Sequence, residues 1–260
     1  MAEEKLEQGI QRAAAELRLQ LAQMTAASQL LERSAVDKTS AGCLAAMNQG
    51  ICRMLRIVGR MELSGRLGGE APPVKLSPTD LGELTAELGG RMEGLLARAG
   101  VTLTVKGPER LPARADGELV RQLLLELVAN AAKAGRSVTL TLKQDGENAV
   151  FTVEDDGPGV SPEKLPFLFD NGAQELPDWK RGGNGIAIAR RIAVLHGGRL
   201  AAVCAPGRGL SVTASIPLNR GGGDALRCPS VEWDRGGFDE AVVGLSHLLP
   251  AGVFAPGEYE

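Results

Sequence analysis

Residues 149–160 read Ala-Val-Phe-Thr-Val-Glu-Asp-Asp-Gly-Pro-Gly-Val, AVFTVEDDGPGV. The first seven alternate apolar and polar positions with β-branched and aromatic residues, which predicts a half-buried strand over 149–155. Asp155 stands at its end, where a carboxylate can accept a hydrogen bond from the amino group of a base, and Gly157 and Gly159 let a backbone approach a ligand closely. A plain surface turn uses the same Asp-Gly and Pro-Gly pairs, so the neighbouring segments decide. Upstream, VTLTL (138–142) is a second alternating strand, joined through Gln144-Asp145-Gly146, a hairpin signal. Downstream, LAAVCA (200–205) and LSVTASIP (210–217) flank the turn Pro206-Gly207-Arg208-Gly209, and VTLTV (101–105) adds one more strand. Helical periodicity runs from about Thr79 to Ala99, from Asp116 to Ala134 and from Asn184 to His196. Helices segregated from a largely antiparallel sheet predict an α+β sandwich.

Two further stretches carry chemistry. In the helix over 116–134, Leu123, Leu124, Leu127 and Ala131 share one face while Glu126, Asn130 and Lys133 form a row on another. A carboxylate, an amide and an ammonium so arranged suit Mg²⁺ and a phosphate, although a solvated helix face has the same letters. Arg181-Gly182-Gly183-Asn184-Gly185 runs straight into a helix, and glycine-rich backbone at a helix N-terminus is a site for anionic phosphate.

In this order and spacing the three stretches resemble the ATP-binding domain of the GHKL superfamily (the Bergerat fold), and within it the sensor histidine kinases. The N box is Glu126-Leu127-Val128-Ala129-Asn130-Ala131-Ala132-Lys133, preceded by Asp116, and the first Gly box is Val153 to Val160. Leu168-Phe169-Asp170 is similar to a clipped F box, and Gly183 to Ile188, ending in His196-Gly197-Gly198, to the second Gly box. The resemblance covers about Val74 to Leu218. It implies ATP and Mg²⁺ as cofactors. By it Asp155 binds the adenine amino group, Gly157 and Gly159 line the pocket, Asn130 holds Mg²⁺, and Lys133, Gly183 and Gly185 meet the phosphates. Arg181 replaces the usual first glycine of the second Gly box, which implies either a tighter turn or a charge lent to the γ-phosphate. Glu126 is the type that activates water in the gyrase-like branch and assists at the metal in histidine kinases. The segment 171–180, the expected lid, is short and carries Trp179.

Ahead of this domain Ile10, Leu17, Met24 and Leu31 recur every seven residues, with Ala13 and Ala27 between them, and Leu44, Met47, Ile51, Met54, Val58 and Met61 in alternating steps of three and four. Loop and capping residues Ser34 to Ser40 separate the runs. Such stripes predict an antiparallel helical hairpin that pairs with a second copy into a four-helix bundle. The hairpin resembles the dimerisation and phosphotransfer helices of histidine kinases. On the motif His-Glu-Leu-Arg-Thr-Pro-Leu this chain reads Ala15-Glu16-Leu17-Arg18-Leu19-Gln20-Leu21, so the phosphoacceptor is missing and Leu19 replaces the Thr tied to phosphatase activity. Of the remaining histidines, His196 reads as structural, and His247 lacks the acid that follows an acceptor.

The domain plan expected is therefore a hairpin over 1–64, a Gly/Pro-rich linker over 65–73, the ATP-binding domain over 74–218, and an extension over 219–260. The extension's apolar run Phe238, Val242, Leu245 and Leu249 is expected to dock back on the body. At 260 residues, 43% hydrophobic and 23% charged, the chain buries a real core, and a net charge of −3 gives no general attraction to nucleic acid. The acidic start MAEEKLEQ and the lack of a long apolar run predict a cytoplasmic protein with no membrane segment. Cys43, Cys52, Cys204 and Cys228 form no CxxC pair and read as ordinary thiols. Three functions stay open: an ATP-dependent kinase-like protein acting on a partner such as a response regulator or sensor protein, a non-catalytic pseudokinase scaffold, and an ATPase using Glu126.

Overall fold

The computed structural model describes residues 2–32, 38–68, 74–160, 163, 185–204, 207, 209–219 and 238–255. The chain forms two compact units, one of Met1–Pro72 with Val231–Glu260, the other of Pro73–Ser230. The first unit is thus discontinuous in sequence.

In the first unit, helix α1 (Ala2–Glu32) packs against α2 (Lys38–Gly68), which extends through the first four residues of the expected linker. The pairing is antiparallel, with Arg18 bonded to Glu62 near one end and Ser28 to Asn48 (2.5 Å) near the other. The buried heptad of α1 is Ala14, Leu21 and Ser28, not the expected Leu17, Met24 and Leu31, which are exposed; Ile10 lies outside the described side chains. The expected stripe of α2 splits likewise. Leu44, Ile51 and Val58 are buried, Met47 and Met61 half-buried and Met54 exposed. The reason is polar. Ser28 and Asn48 satisfy each other, and Thr25 Oγ1 donates to Leu21 O (2.9 Å), so hydroxyl and amide side chains take buried positions that a search for apolar residues passes over.

The C-terminal residues complete this unit. A short helix α6 (Glu240–Leu245), capped by Asp239, and a 3-10 turn (Ala251–Phe254) lie along α2. Asn48 Nδ2 donates to Phe254 O (3.3 Å), Gln49 Nε2 to Leu249 O (2.8 Å) and Arg53 Nε to Ser246 O (3.4 Å). Phe238, Val242, Leu245, Leu249 and Phe254 are all buried.

The second unit holds a five-stranded sheet in the order β2-β4-β5-β7-β6, from β2 (Thr102–Lys106), β4 (Ser137–Asp145), β5 (Asn148–Asp155), β6 (Arg199–Cys204) and β7 (Leu210–Pro217). Among the described residues only β2 and β4 pair in parallel, and in the chain they enclose the crossover helix α4 (Gly117–Ala134). Alternation sets the faces. Val138, Leu140, Leu142, Phe151, Val153, Val212, Ala214 and Ile216 are buried, while Thr139, Thr141, Thr152 and Thr213 between them are only half-buried. Helices α3 (Leu81–Arg98), α4 and α5 (Gly185–Leu195) supply the apolar cover. This is the α+β sandwich expected from the sequence. A second, two-stranded ladder, β1 (Ser77–Asp80) with β3 (Pro112–Ala115), was not anticipated: each strand is four residues long and each contains a proline.

Candidate functional site

The loop after β5 is pinned to the end of α4. Asp156 Oδ1 accepts from Ser137 N (2.9 Å) and Arg136 N (2.7 Å), just beyond that helix, and these bonds hold its carboxyl below the usual carboxylate range. A methyl group on Gly157 would stand 2.7 Å from Ala134 O, so only glycine lets the loop lie this close to the helix end. The same loop therefore sits beside the last turns of α4, where Asn130 and Lys133 are.

Asp155 is buried at 8% exposure. Its Oδ1 accepts from Gly157 N (2.9 Å) and Leu210 N (3.3 Å). Burial raises its carboxyl above the usual range, opposed in part by these two N–H groups, and the neighbouring Asp156 charge raises it further. Among the described residues both hydrogen bonds fall on the one oxygen.

Along α4 burial is graded. Glu126 is 4% exposed, Asn130 is half-buried and Lys133 is exposed. A solvated face would leave Glu126 in water, so the row runs from interior to surface instead. Glu126 Oε1 accepts from Gln122 Nε2 (2.9 Å), which orients the carboxylate. Gly185 begins α5, buried against its surroundings, and Gly159 has φ +71°. Arg181 and Gly183, the F box and the segment 171–180 lie outside the described residues.

Two further residues hold the site together: His196, read from the sequence as structural, and Cys204, read there as an ordinary thiol. His196 is buried at the end of α5; its Nε2 accepts from Asp116 N (3.1 Å) and its Nδ1 faces Ile192 O (2.8 Å). An amide N–H must donate and a carbonyl must accept, so the ring is neutral and carries its proton on Nδ1. Asp116 in turn caps α4 through Leu119 N (3.2 Å) and binds Lys75 N (3.0 Å), so His196 fixes the start of the helix that carries Glu126 and Asn130. The second is Cys204, whose thiol meets the main chain of Val160.

Residues 115–220 match the sequence profile of the Histidine kinase-, DNA gyrase B-, and HSP90-like ATPase family. Over these residues the chain is similar to the histidine kinases. It is 34% identical over 152 residues to the adaptive-response sensory kinase SasA of Parasynechococcus marenigrum (strain WH8102), covering 55% of this chain and 40% of that one. To the signal transduction histidine-protein kinase BaeS of Escherichia coli (strain K12) it is 29% identical over 151 residues, 55% of this chain and 32% of that one. The chain thus spans well under half the length of these curated relatives. The crystal structure of full-length ShkA in complex with AMPPNP shares the fold at TM-score 0.67 and 24% identity, over 83% of this chain and 47% of that chain. Acinetobacter baumannii histidine kinase AdeS does so at TM-score 0.54 and 16% identity, over 78% and 96%. Among the described residues of the chain, no helix is long and apolar enough to cross a membrane.

Proposed function

We propose that the chain binds Mg-ATP beside the end of β5 and works as a histidine-kinase-like protein of two-component signalling, passing phosphate to a partner rather than to itself. The observation that carries this reading is Asp155. With Oδ1 occupied by two main-chain N–H groups, Oδ2 is left to accept from the exocyclic amino group of adenine. Gly157, free of a side chain that would strike Ala134 O, keeps the loop beside Asp155 close to the end of α4. Glu126 and Asn130, one turn apart, offer oxygen ligands of the kind a hard cation takes, so Asn130 would hold Mg²⁺ with Glu126 assisting. Lys133, Arg181, Gly183 and Gly185 would meet the phosphates, Gly185 at a helix N-terminus. Phosphoryl transfer depends mostly on positioning and charge neutralisation, which such a set supplies.

Ala15 supports the second half of the reading. It is exposed on α1, where a phosphoacceptor imidazole would have to be, and carries only a methyl group. His196 is no substitute, being buried with both ring nitrogens committed.

The hairpin supports a homodimer. Leu17, Met24 and Leu31 on α1 and Met47, Met54 and Met61 on α2 each stand three residues beyond an inward heptad. In an antiparallel pair, equal offsets turn both rows to the same side, giving one apolar stripe for a second copy. The partner that receives phosphate would be a response regulator.

Calorimetric titration of Mg-ATP into the chain and into Asp155→Asn tests the first step. The Asn carbonyl must take the place of Oδ1, which turns its NH₂ toward the adenine NH₂, donor against donor. Loss of a hydrogen bond to a charged group is worth about 1.5–3 kcal/mol, so affinity should fall roughly 10- to 150-fold. Equal affinities, or no binding by either protein, would remove the ATP reading. Incubation with γ-labelled ATP then separates the fates of the phosphate. Acid-labile label is expected on a response regulator and on Ala15→His, and not on the unsubstituted chain. Phosphate release abolished by Glu126→Ala would favour an ATPase, and binding without transfer a scaffold.

A further inference from the structure

The β6–β7 turn grips the loop that follows β5 at several points. Leu210 N donates to Asp155 Oδ1 (3.3 Å) and Gly207 N to Pro158 O (3.0 Å). At the far end stands Cys204, the last residue of β6. Its Sγ accepts from Val160 N (2.8 Å), and its single S–H faces Val160 O (3.1 Å) and Gly209 O (3.2 Å). One side chain thus serves both the amide and the carbonyl of the same residue, as a neighbouring strand would. β6 is the edge strand of the sheet, with β7 on its one paired side, so no further strand of the described residues does this for Val160. A short group able to donate and accept at once is required, which limits the position to Cys, Ser or Thr.

We infer that Cys204 is a positioning residue for nucleotide binding: its thiol fixes the loop 157–160, and with it Gly157 and Gly159, against the β6–β7 turn that also holds Asp155. The inference rests on the ATP reading above. Cys204 acts through Val160 and touches no reacting atom. A valine puts methyl groups where the sulfur stood and removes both hydrogen bonds; a serine keeps them.

The test compares Cys204→Val and Cys204→Ser with the unsubstituted full chain in two measurements. Calorimetry should show Mg-ATP affinity lowered roughly 3- to 10-fold in the valine variant, the worth of one or two neutral hydrogen bonds, and within about twofold of the unsubstituted chain in the serine variant. Amide hydrogen exchange without nucleotide should quicken at Val160 in the valine variant alone, with Phe151 and Ile216 unchanged. Equal affinity and equal Val160 exchange in the valine variant would overturn the inference, as would a serine variant that loses as much as valine. If the unsubstituted chain bound no nucleotide, the ATP reading would fail and the positioning role with it. Binding intact but insensitive to Cys204→Val strikes this inference alone.

Discussion

Gly207 and Gly209 occupy the same turn, have nearly the same positive φ (+75° and +77°), and differ only in what a side chain would meet. At Gly207 there is nothing within 4 Å; at Gly209 a Cβ would fall 1.7 Å from Asp155 O and 3.3 Å from its Oδ1. Gly207→Ala therefore carries only the cost of a left-handed backbone with a side chain, about 1–2 kcal/mol. Gly209→Ala carries that cost plus an overlap that nothing but backbone movement relieves, since the obstacle is a main-chain carbonyl. Overpacking of this kind adds about 1–3 kcal/mol, for a total of roughly 2–5 kcal/mol. For a unit of this size each kcal/mol lowers Tm by about 2–4 °C, so calorimetry should show losses of roughly 2–8 °C for Gly207→Ala and roughly 4–20 °C for Gly209→Ala. The displaced group is the residue proposed to bind the base. Mg-ATP affinity should therefore fall more than about tenfold in Gly209→Ala and change less than about threefold in Gly207→Ala, on the same scale of hydrogen-bond losses. Two alanine variants of equal stability and equal affinity would refute the claim that the turn is built against Asp155.

Phe254→Ala should destabilise the helical unit by about 3–5 kcal/mol, because the ring is fully buried in the turn that lies along α2; a change below about 0.5 kcal/mol in urea unfolding would mean that the C-terminal residues contribute nothing to it. The Cys52 thiol is pushed up to about 12 by burial, so the folded state favours its neutral form. Its contribution to stability is complete below the ordinary thiol value and is lost as pH rises from there toward about 12, and the unfolding midpoint of the native chain should drop relative to Cys52→Ala across that window. In the folded chain iodoacetamide should label exposed Cys43 and spare Cys52, and equal labelling by mass spectrometry would contradict the burial.

Much of the α+β unit is legible because its signals are local. Val138, Leu140, Leu142 and Phe151 and Val153 alternate within their own strands, and the turn glycines stand in the same short stretches as the residues they serve. The two outcomes that differed from expectation in the helical unit share one physical cause. Ser28 and Asn48 are buried because each supplies the other's partner across 20 residues of chain, and no periodicity in either helix alone contains that information. The docking of the C-terminal residues on α2 is of the same kind: Asn48 meets a carbonyl 206 residues away.

The candidate site divides along the same line. Asp155, Gly157, Asn130 and Glu126 are readable as residue types in order, but their chemical state is not. Whether Asp155 has an oxygen left for a ligand depends on Leu210 N, 55 residues downstream, taking the same oxygen as Gly157 N rather than the other one. Whether α4 starts where it must depends on His196, 80 residues from the amide it accepts. Cys204 looks like one more small core residue in LAAVCA until the loop 44 residues earlier arrives at its thiol. A binding residue can be named from a motif, whereas the groups that leave it free to bind come from elsewhere in the chain. Leu210→Pro, which removes that N–H, and Cys204→Val should therefore alter nucleotide affinity while every residue of the recognisable boxes stays intact.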